Sequence, residues 1–268
     1  MRLDAALVKR GLAESRSHAA RMIDERNITV GGVIAEKTSR MVAPEEPIEV
    51  LVKRRFVSRG GEKLEHALDS FQISVENRSV LDAGVSTGGF TDCVLQRGAR
   101  RVFAVDVGRN QLHEHMKSDP RVDWRDGVNV RDLGSQDCPF ACSLIVADLS
   151  FISLTKVMPA FFESVTSESG FETPGMVLLV KPQFEAGRVE VSRGKGVITD
   201  PSIHKEACDT VRDAVVGLGG TVVGTIESPI KGAEVTMEES DSRVGTPADK
   251  NEEPDKSPVK GSRWLVAI

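Results

Sequence analysis

The chain has 268 residues, 40% hydrophobic and 28% charged, with a formal net charge of −5. That balance excludes a disordered or fibrous protein and allows one large domain, or a medium domain with a small one. The longest clean apolar run, 176–180, is far short of the roughly 20 residues that span a bilayer, residues 1–4 carry no apolar signal core, and the four cysteines form no Cys-x-x-Cys pair, so a membrane protein, an exported protein, a zinc site and a disulfide scaffold are not expected and a reducing, cytoplasmic setting fits.

The net charge hides a split. Residues 1–63 hold 13 Lys and Arg against 9 Asp and Glu, whereas residues 233–260 hold 4 against 8. A mildly acidic average therefore does not exclude nucleic acid, because the local patch decides.

The first 55 residues read as a small module. Leu3, Leu7 and Val8 recur at helical spacing, with Gly11 placed to end that helix. Ser15 suits the N-cap of a second helix whose apolar face is Ala19, Met22 and Ile23. Residues 28–30, the Gly31-Gly32 pair and residues 33–34 read as strand, turn and strand, and 48–52 as a closing strand. Charge alone leaves a solvated surface and an RNA face both open. A basic hinge with two glycines, 56–62, follows.

The remainder, 63–268, alternates helices with short apolar strands. Leu64, Ala67, Leu68 and Phe71 follow the amphipathic pattern. Strands are expected at 79–81, 102–105, 144–147 and 176–180, with another at 221–225. This is the pattern of an α/β, mostly parallel sheet covered by helices on both faces. The four core runs stop at Asp82, Asp106, Asp148 and Lys181. Ligands of open α/β sheets bind beyond the carboxyl ends of the strands, so three acids and one base are delivered to one rim.

After the first run comes Asp82-Ala83-Gly84-Val85-Ser86-Thr87-Gly88-Gly89-Phe90. Its glycines allow close backbone approach to a ligand, but the loop is neither the dinucleotide fingerprint nor a P-loop. Asp106, at the end of the next strand, suits both hydroxyls of a ribose. A nucleoside with a cationic amino-acid tail, such as S-adenosylmethionine, matches this set. Lys181 caps a buried strand and precedes Pro182. Lys63 lies in a helical first turn, where the dipole disfavours a cation; from that helix alone it reads as a solvated lysine paired with Glu62 or Glu65. Asp148 competes with a reading as a helix N-terminal acid.

Two stretches of motif carry a family resemblance. Arg2-Leu3-Asp4, Gly11-Leu12-Ala13, Ser15-Arg16, Ala19-Ala20, Ile23 and Val30-Gly31-Gly32 resemble the S4-type RNA-binding domain. Ser58-Arg59-Gly60-Gly61-Glu62-Lys63-Leu64, the run 81–90, Val105-Asp106-Val107-Gly108, Ala147-Asp148-Leu149-Ser150-Phe151-Ile152-Ser153 and Val180-Lys181-Pro182-Gln183-Phe184-Glu185 together resemble the TlyA/haemolysin-A family of rRNA methyltransferases. The resemblance implies a Rossmann-like, RrmJ/FtsJ-like methyltransferase domain behind an S4-type domain, S-adenosylmethionine as cofactor, no metal, and ribosomal RNA or ribosomal subunits as partner. It implies a catalytic set of Lys63, Asp148 and Lys181. Asp82, Gly84, Ser86, Gly88, Gly89, Asp106, Asn129 and Asp148 become the cofactor residues, and Arg2, Arg10, Arg16, Arg54, Arg55 and Arg59 the RNA contacts.

One departure stands out. The family closes with Gly-Asn-x-Glu and an apolar strand, the Glu being its fourth catalytic residue, whereas this chain has Gly261-Ser262-Arg263-Trp264. A polar insertion at 233–256, read as a disordered loop, precedes it. Glu227 and Glu234 are candidates to substitute spatially, which the sequence does not show. Residues 185–200 read either as a mobile basic loop that clamps RNA or as an ordinary surface loop. The expected function is 2'-O-methylation of rRNA. The alternative is an RNA- and cofactor-binding homologue with reduced or lost catalysis. A membrane-lytic haemolysin has no spanning or amphipathic membrane helix to support it.

Overall fold

The structure is a computed structural model that describes residues 1–24, 26–51, 55–171, 173–185, 200–230 and 264–268. The chain divides into two compact units, Met1–Arg55 and Phe56–Ile268.

In the first unit, α1 (Leu3–Lys9) and α2 (Arg16–Asp24) accompany a three-stranded antiparallel sheet of order β2-β1-β3, formed by β1 (Ile28–Val30), β2 (Val33–Ile34) and β3 (Ile48–Val50). Gly11 ends α1 at φ +69°, where its N–H reaches Val8 O and the Leu12 N–H reaches Leu7 O. That double bond satisfies carbonyls the helix end leaves open. Ser15 Oγ accepts from the His18 N–H at 3.1 Å and caps α2. Leu3, Leu7, Ile23 and Ile28 are almost fully buried and form the centre of a small separate core.

The second unit opens with α3 (Gly60–Ser70) and is built on a seven-stranded sheet of order β6-β5-β4-β7-β8-β10-β9. Its strands are β4 (Ser79–Ala83), β5 (Arg101–Asp106), β6 (Val122–Asp126), β7 (Leu144–Ala147), β8 (Gly175–Val180), β9 (Gly224–Glu227) and β10 (Trp264–Ala267). β4 to β8 are mutually parallel, and β10 runs antiparallel to both β8 and β9. The helices are α4 (Gly89–Gln96), α5 (Glu114–Lys117), α6 (Met158–Ser164), α7 (Pro182–Glu185) and α8 (Pro201–Gly217). Asp200 accepts from the Ser202 N–H at 2.8 Å and Pro201 occupies the first helical position, which fixes where α8 starts.

Alternate strand residues face opposite cores. Val80, Val102, Ala104, Val146, Val177 and Leu179 meet Leu64 and Leu68 of α3 and Val94 of α4 on one face. Leu81, Phe103, Val105, Ile145, Leu178 and Val180 meet Phe161 of α6 and Val211 of α8 on the other. Each fully buried aliphatic side chain contributes roughly 1.5–3 kcal/mol, so both faces of the sheet are anchored.

Four expectations change. The first core strand runs past Asp82 to Ala83, so this acid lies inside the strand. The strand expected at 221–225 forms at Gly224–Glu227, where pairing to β10 sets its limits. β6, which has one buried residue and an otherwise polar pattern, gave no apolar signal because it borders the sheet on one side only. The segment 56–62 is not a free hinge: Phe56 is 3% exposed in the second core, and α3 begins at Gly60. The insertion at 233–256, the loop at 186–199, Glu234, Arg263 and Arg54 lie outside the described residues.

Candidate active site

Strand parity builds the site. Ala147 and Val180, the last residues of β7 and β8, face the α6 and α8 core. One residue further on, Asp148 and Lys181 turn to the opposite face, where α3 packs. α3 carries Lys63, so three charged side chains from three distant segments converge. Lys181 Nζ lies 2.6 Å from Asp148 Oδ1, and Lys63 Nζ lies 3.9 Å from Asp148 Oδ2. The side chains of Lys63 and Lys181 are 7% and 5% exposed. Lys181 Nζ also donates to Ser150 Oγ at 2.7 Å and stands 5.8 Å from the Phe184 ring centroid.

This placement overturns the reading of Lys63 as a solvated lysine paired with a neighbouring glutamate. Its side chain is buried against Asp148, while Glu65 meets Arg97 at 3.6 Å. Asp148 is no helix cap either: the short 3-10 turn downstream, Leu154–Lys156, is capped by Ser153.

The three groups line a cavity of about 230 Å³ together with Gly84, Ser86 and Gly89 of the glycine loop. Gly84 sits at φ +81°, and a Cβ there would lie 2.9 Å from Leu149 Cδ2 and 3.1 Å from Asp148 O. A Cβ on Gly89 would collide with Ser58 Oγ. Bare backbone is therefore what lets the loop, α3 and the Asp148 segment meet around the cavity. The N-cap of α4 is Gly88, which has no side chain to offer, and Gly89 and Phe90 of the first turn border the cavity, giving it a partial positive charge suited to an anion.

Asp106 ends β5 at the same rim. Its Oδ2 accepts from the Ser86 N–H at 2.8 Å and its Oδ1 from the Gly108 N–H at 2.7 Å. A carboxylate offers about four acceptor positions, so these two bonds aim the group and leave it capacity for two hydroxyls. Ser86 adopts φ +47° to make its contact.

Other expected residues stand elsewhere. Asp82 is fully buried inside β4, where Thr91 Oγ1 donates to its Oδ2 at 2.6 Å. It ties the strand to the first turn of α4 from beneath the glycine loop and does not line the cavity. Burial pushes its carboxyl up to about 7, against the bond from Thr91. Gly88, at φ +95° and buried, shapes the loop from behind. Asn129 is exposed, and its side-chain oxygen accepts from the Arg131 N–H at 3.2 Å.

Among the arginines expected at RNA, Arg10 is occupied: its guanidinium donates to the carbonyl oxygens of Glu46, Ala43 and Pro44 at 2.7, 3.0 and 2.8 Å. Arg2 and Arg16 share the buried Asp4 at 3.1 and 2.7 Å with side chains 48% and 62% exposed, and the two guanidiniums hold its carboxyl well below the usual range. Arg55 is exposed and Arg59 half-buried just before α3.

Three residues of the family motifs acquire places that their sequence did not disclose. Ser150 receives Lys181. Phe151 is 79% exposed at φ +65°, with its ring centroid 5.2 Å from that of Phe184. Glu185 reaches back to the same loop at Ser153 and Leu154. An aromatic between two serines just beyond the Asp148 strand end was the available signal.

Comparison with known proteins agrees with this geometry. Residues 56–238 match the model of the FtsJ-like methyltransferases, and residues 1–48 match the S4 domain. The chain is 40% identical over 242 residues to Hemolysin A of Brachyspira hyodysenteriae, covering 89% of this chain and 97% of that protein. It is 41% identical over 239 residues to the 16S/23S rRNA (cytidine-2'-O)-methyltransferase TlyA of Mycobacterium tuberculosis, covering 88% and 87%. A solved structure named as a hemolysin, from Streptococcus thermophilus, superposes with a TM-score of 0.70 at 34% identity, covering all of this chain and 87% of that one.

Proposed function

The chain belongs to the FtsJ-like methyltransferase family, in the TlyA and hemolysin A group that carries an N-terminal S4 domain, and from that premise we propose that it uses S-adenosylmethionine to methylate ribosomal RNA at a ribose 2'-hydroxyl. The observation that carries the reading is the chain Lys63–Asp148–Lys181 inside one cavity with a glycine loop.

The residues present fit the methyl donor. The loop at Gly84 and Gly89 has no room for side chains, the first turn of α4 offers N–H groups to a carboxylate, and Asp106 has acceptor capacity for ribose hydroxyls. When bound, the donor supplies an electrophilic methyl group on a sulfonium. The protein's own task is to hold the hydroxyl oxygen in line with that methyl, where alignment contributes several kcal/mol. Lys181 Nζ, aimed by Asp148 and Ser150, holds this oxygen and meets the negative charge that develops on it as the methyl–oxygen bond forms and the hydroxyl proton passes to solvent water. Asp148 orients Lys181 and offsets its charge. Lys63 adds positive potential from α3. Phe151 presents an exposed ring against Phe184, the kind of surface on which unpaired bases stack. In the first unit, Arg2 and Arg16 are candidate phosphate contacts that position RNA without reading its sequence.

A second reading, a homologue that binds donor and RNA with weakened catalysis, rests on the missing C-terminal acid of the family motif. Through β10, Glu227 shares a face with Val180, the face opposite Lys181, and it stands two strands away, roughly 10 Å. Glu227 is therefore not beside Lys181, and Arg263-Trp264 stand where the family motif carries its fourth acid. Methyl transfer from labelled donor to ribosomal subunits, with mass mapping of ribose methylation, decides between the two. Donor binding without ribose methylation establishes the second reading.

No helix among the described residues is long and apolar enough to cross a membrane.

A further inference from the structure

The one-turn helix α7 follows Lys181 directly, and the Phe184 N–H closes it on Lys181 O at 2.8 Å. Glu185 stands four residues after Lys181, so a single turn places both side chains on the same side. Both reach the loop that follows Asp148. Lys181 takes Ser150 Oγ at 2.7 Å, while Ser153 Oγ donates to Glu185 Oε2 at 2.6 Å and the Leu154 N–H donates to Glu185 Oε1 at 2.9 Å. The loop is thus pinned at two points three residues apart. Between the pins lies Phe151, at φ +65° and 79% exposed. A left-handed conformation costs a residue with a side chain on the order of 1–3 kcal/mol and persists only where its surroundings enforce it. Burial of Phe151 does not enforce it; the two pins do, together with the ring contact to Phe184.

We propose that Glu185 is a positioning residue of the methyltransferase: it hooks the loop after Asp148 to the turn after Lys181, so that the carboxylate, the lysine and the exposed Phe151 ring are presented as one rigid piece. This rests on the methyltransferase reading and assigns to it a residue that touches none of the reacting atoms. Glu185 is half-buried, and burial raises its carboxyl above the usual range. The two donors it accepts are a backbone N–H and a hydroxyl, each needing a fixed direction.

The test uses the full-length protein and ribosomal subunits, with E185A, E185Q and S153A compared to wild type. Expected for E185A is a fall in kcat of tenfold or more, with donor affinity by calorimetry within twofold and the melting midpoint lowered by no more than a few degrees. E185Q keeps an acceptor for the Leu154 N–H and can donate to Ser153 Oγ, so it should return kcat to within threefold of wild type. Adding S153A to E185A should lower kcat by a smaller factor than S153A does in wild type, because the shared bond is already lost and only the cap of the Leu154–Lys156 turn remains to be removed. E185A with kcat within twofold of wild type overturns the proposal. So does a loss of activity matched by equal losses of donor affinity and melting midpoint, which marks a merely structural residue, and so do fully additive losses in the double variant. A wild-type chain that methylates no ribose overturns the function itself, and this proposal with it.

Discussion

Lys181 and Asp148 each stand one residue beyond the end of adjacent parallel strands, and their charged atoms meet at 2.6 Å in a cavity rimmed by glycine backbone. The pair sits where β7 and β8 release their chains toward α3. Lys63 closes the same group from the helix side at 3.9 Å.

Lys181→Ala removes the donor aimed at the reacting oxygen. Loss of one preorganised donor of this kind lowers turnover by about 10²–10³-fold. The donor molecule should bind with little change, because the glycine loop and Asp106 are untouched. Single-turnover methyl transfer alongside calorimetry checks both halves, and an active K181A overturns the role given to this lysine.

Gly84→Ala places a Cβ 2.9 Å from Leu149 Cδ2 at φ +81°. The strained backbone costs roughly 1–3 kcal/mol, and relief requires moving Leu149 and Asp148. The expected result is a lower melting midpoint together with weaker donor binding. Equal donor affinity in wild type and G84A would show that the loop does not approach the ligand.

Asp82 gives the stability of the second unit a pH dependence. Its carboxyl titrates near 7 when folded and near 3.8 when exposed in the unfolded chain. The folded state therefore binds the extra proton between these values. The stabilising contribution is complete below about pH 4 and is lost as pH rises through about 7. At about 1.4 kcal/mol per pKa unit the effect amounts to a few kcal/mol at most. Asp82→Asn keeps an acceptor for Thr91 and should flatten this part of the profile, which urea unfolding at pH 5 and pH 7.5 measures. An identical slope in both proteins contradicts the assignment.

Arg10 and Arg16 should separate. Arg10→Ala frees the carbonyls of Ala43, Pro44 and Glu46, so amide exchange across 40–47 should accelerate. Arg16→Ala should weaken RNA binding and lower the salt slope by about one. The reverse pattern would exchange the two assignments.

What could be read from the residues alone was whatever depends on short-range periodicity and on chain order. The helices of the first unit, their Gly11 and Ser15 boundaries, four of the five parallel strands, and the charged residues at or just beyond the ends of three of them follow from local sequence. The glycine loop and Asp106 were visible because strand ends in such sheets gather at one rim. Other features were decided only by the folded chain. Asp82 became a buried brace because pairing with β5 and β7 carried β4 past it. Lys63 left its helical neighbours for Asp148 because α3 packs on the face to which the residues beyond β7 and β8 turn. Arg10 was claimed by carbonyls some 33–36 residues away, and the register of β9 and β10 set Glu227 two strands from Val180. In each case the deciding partner is distant in sequence, and neither composition nor spacing along the chain encodes which distant group a side chain will meet.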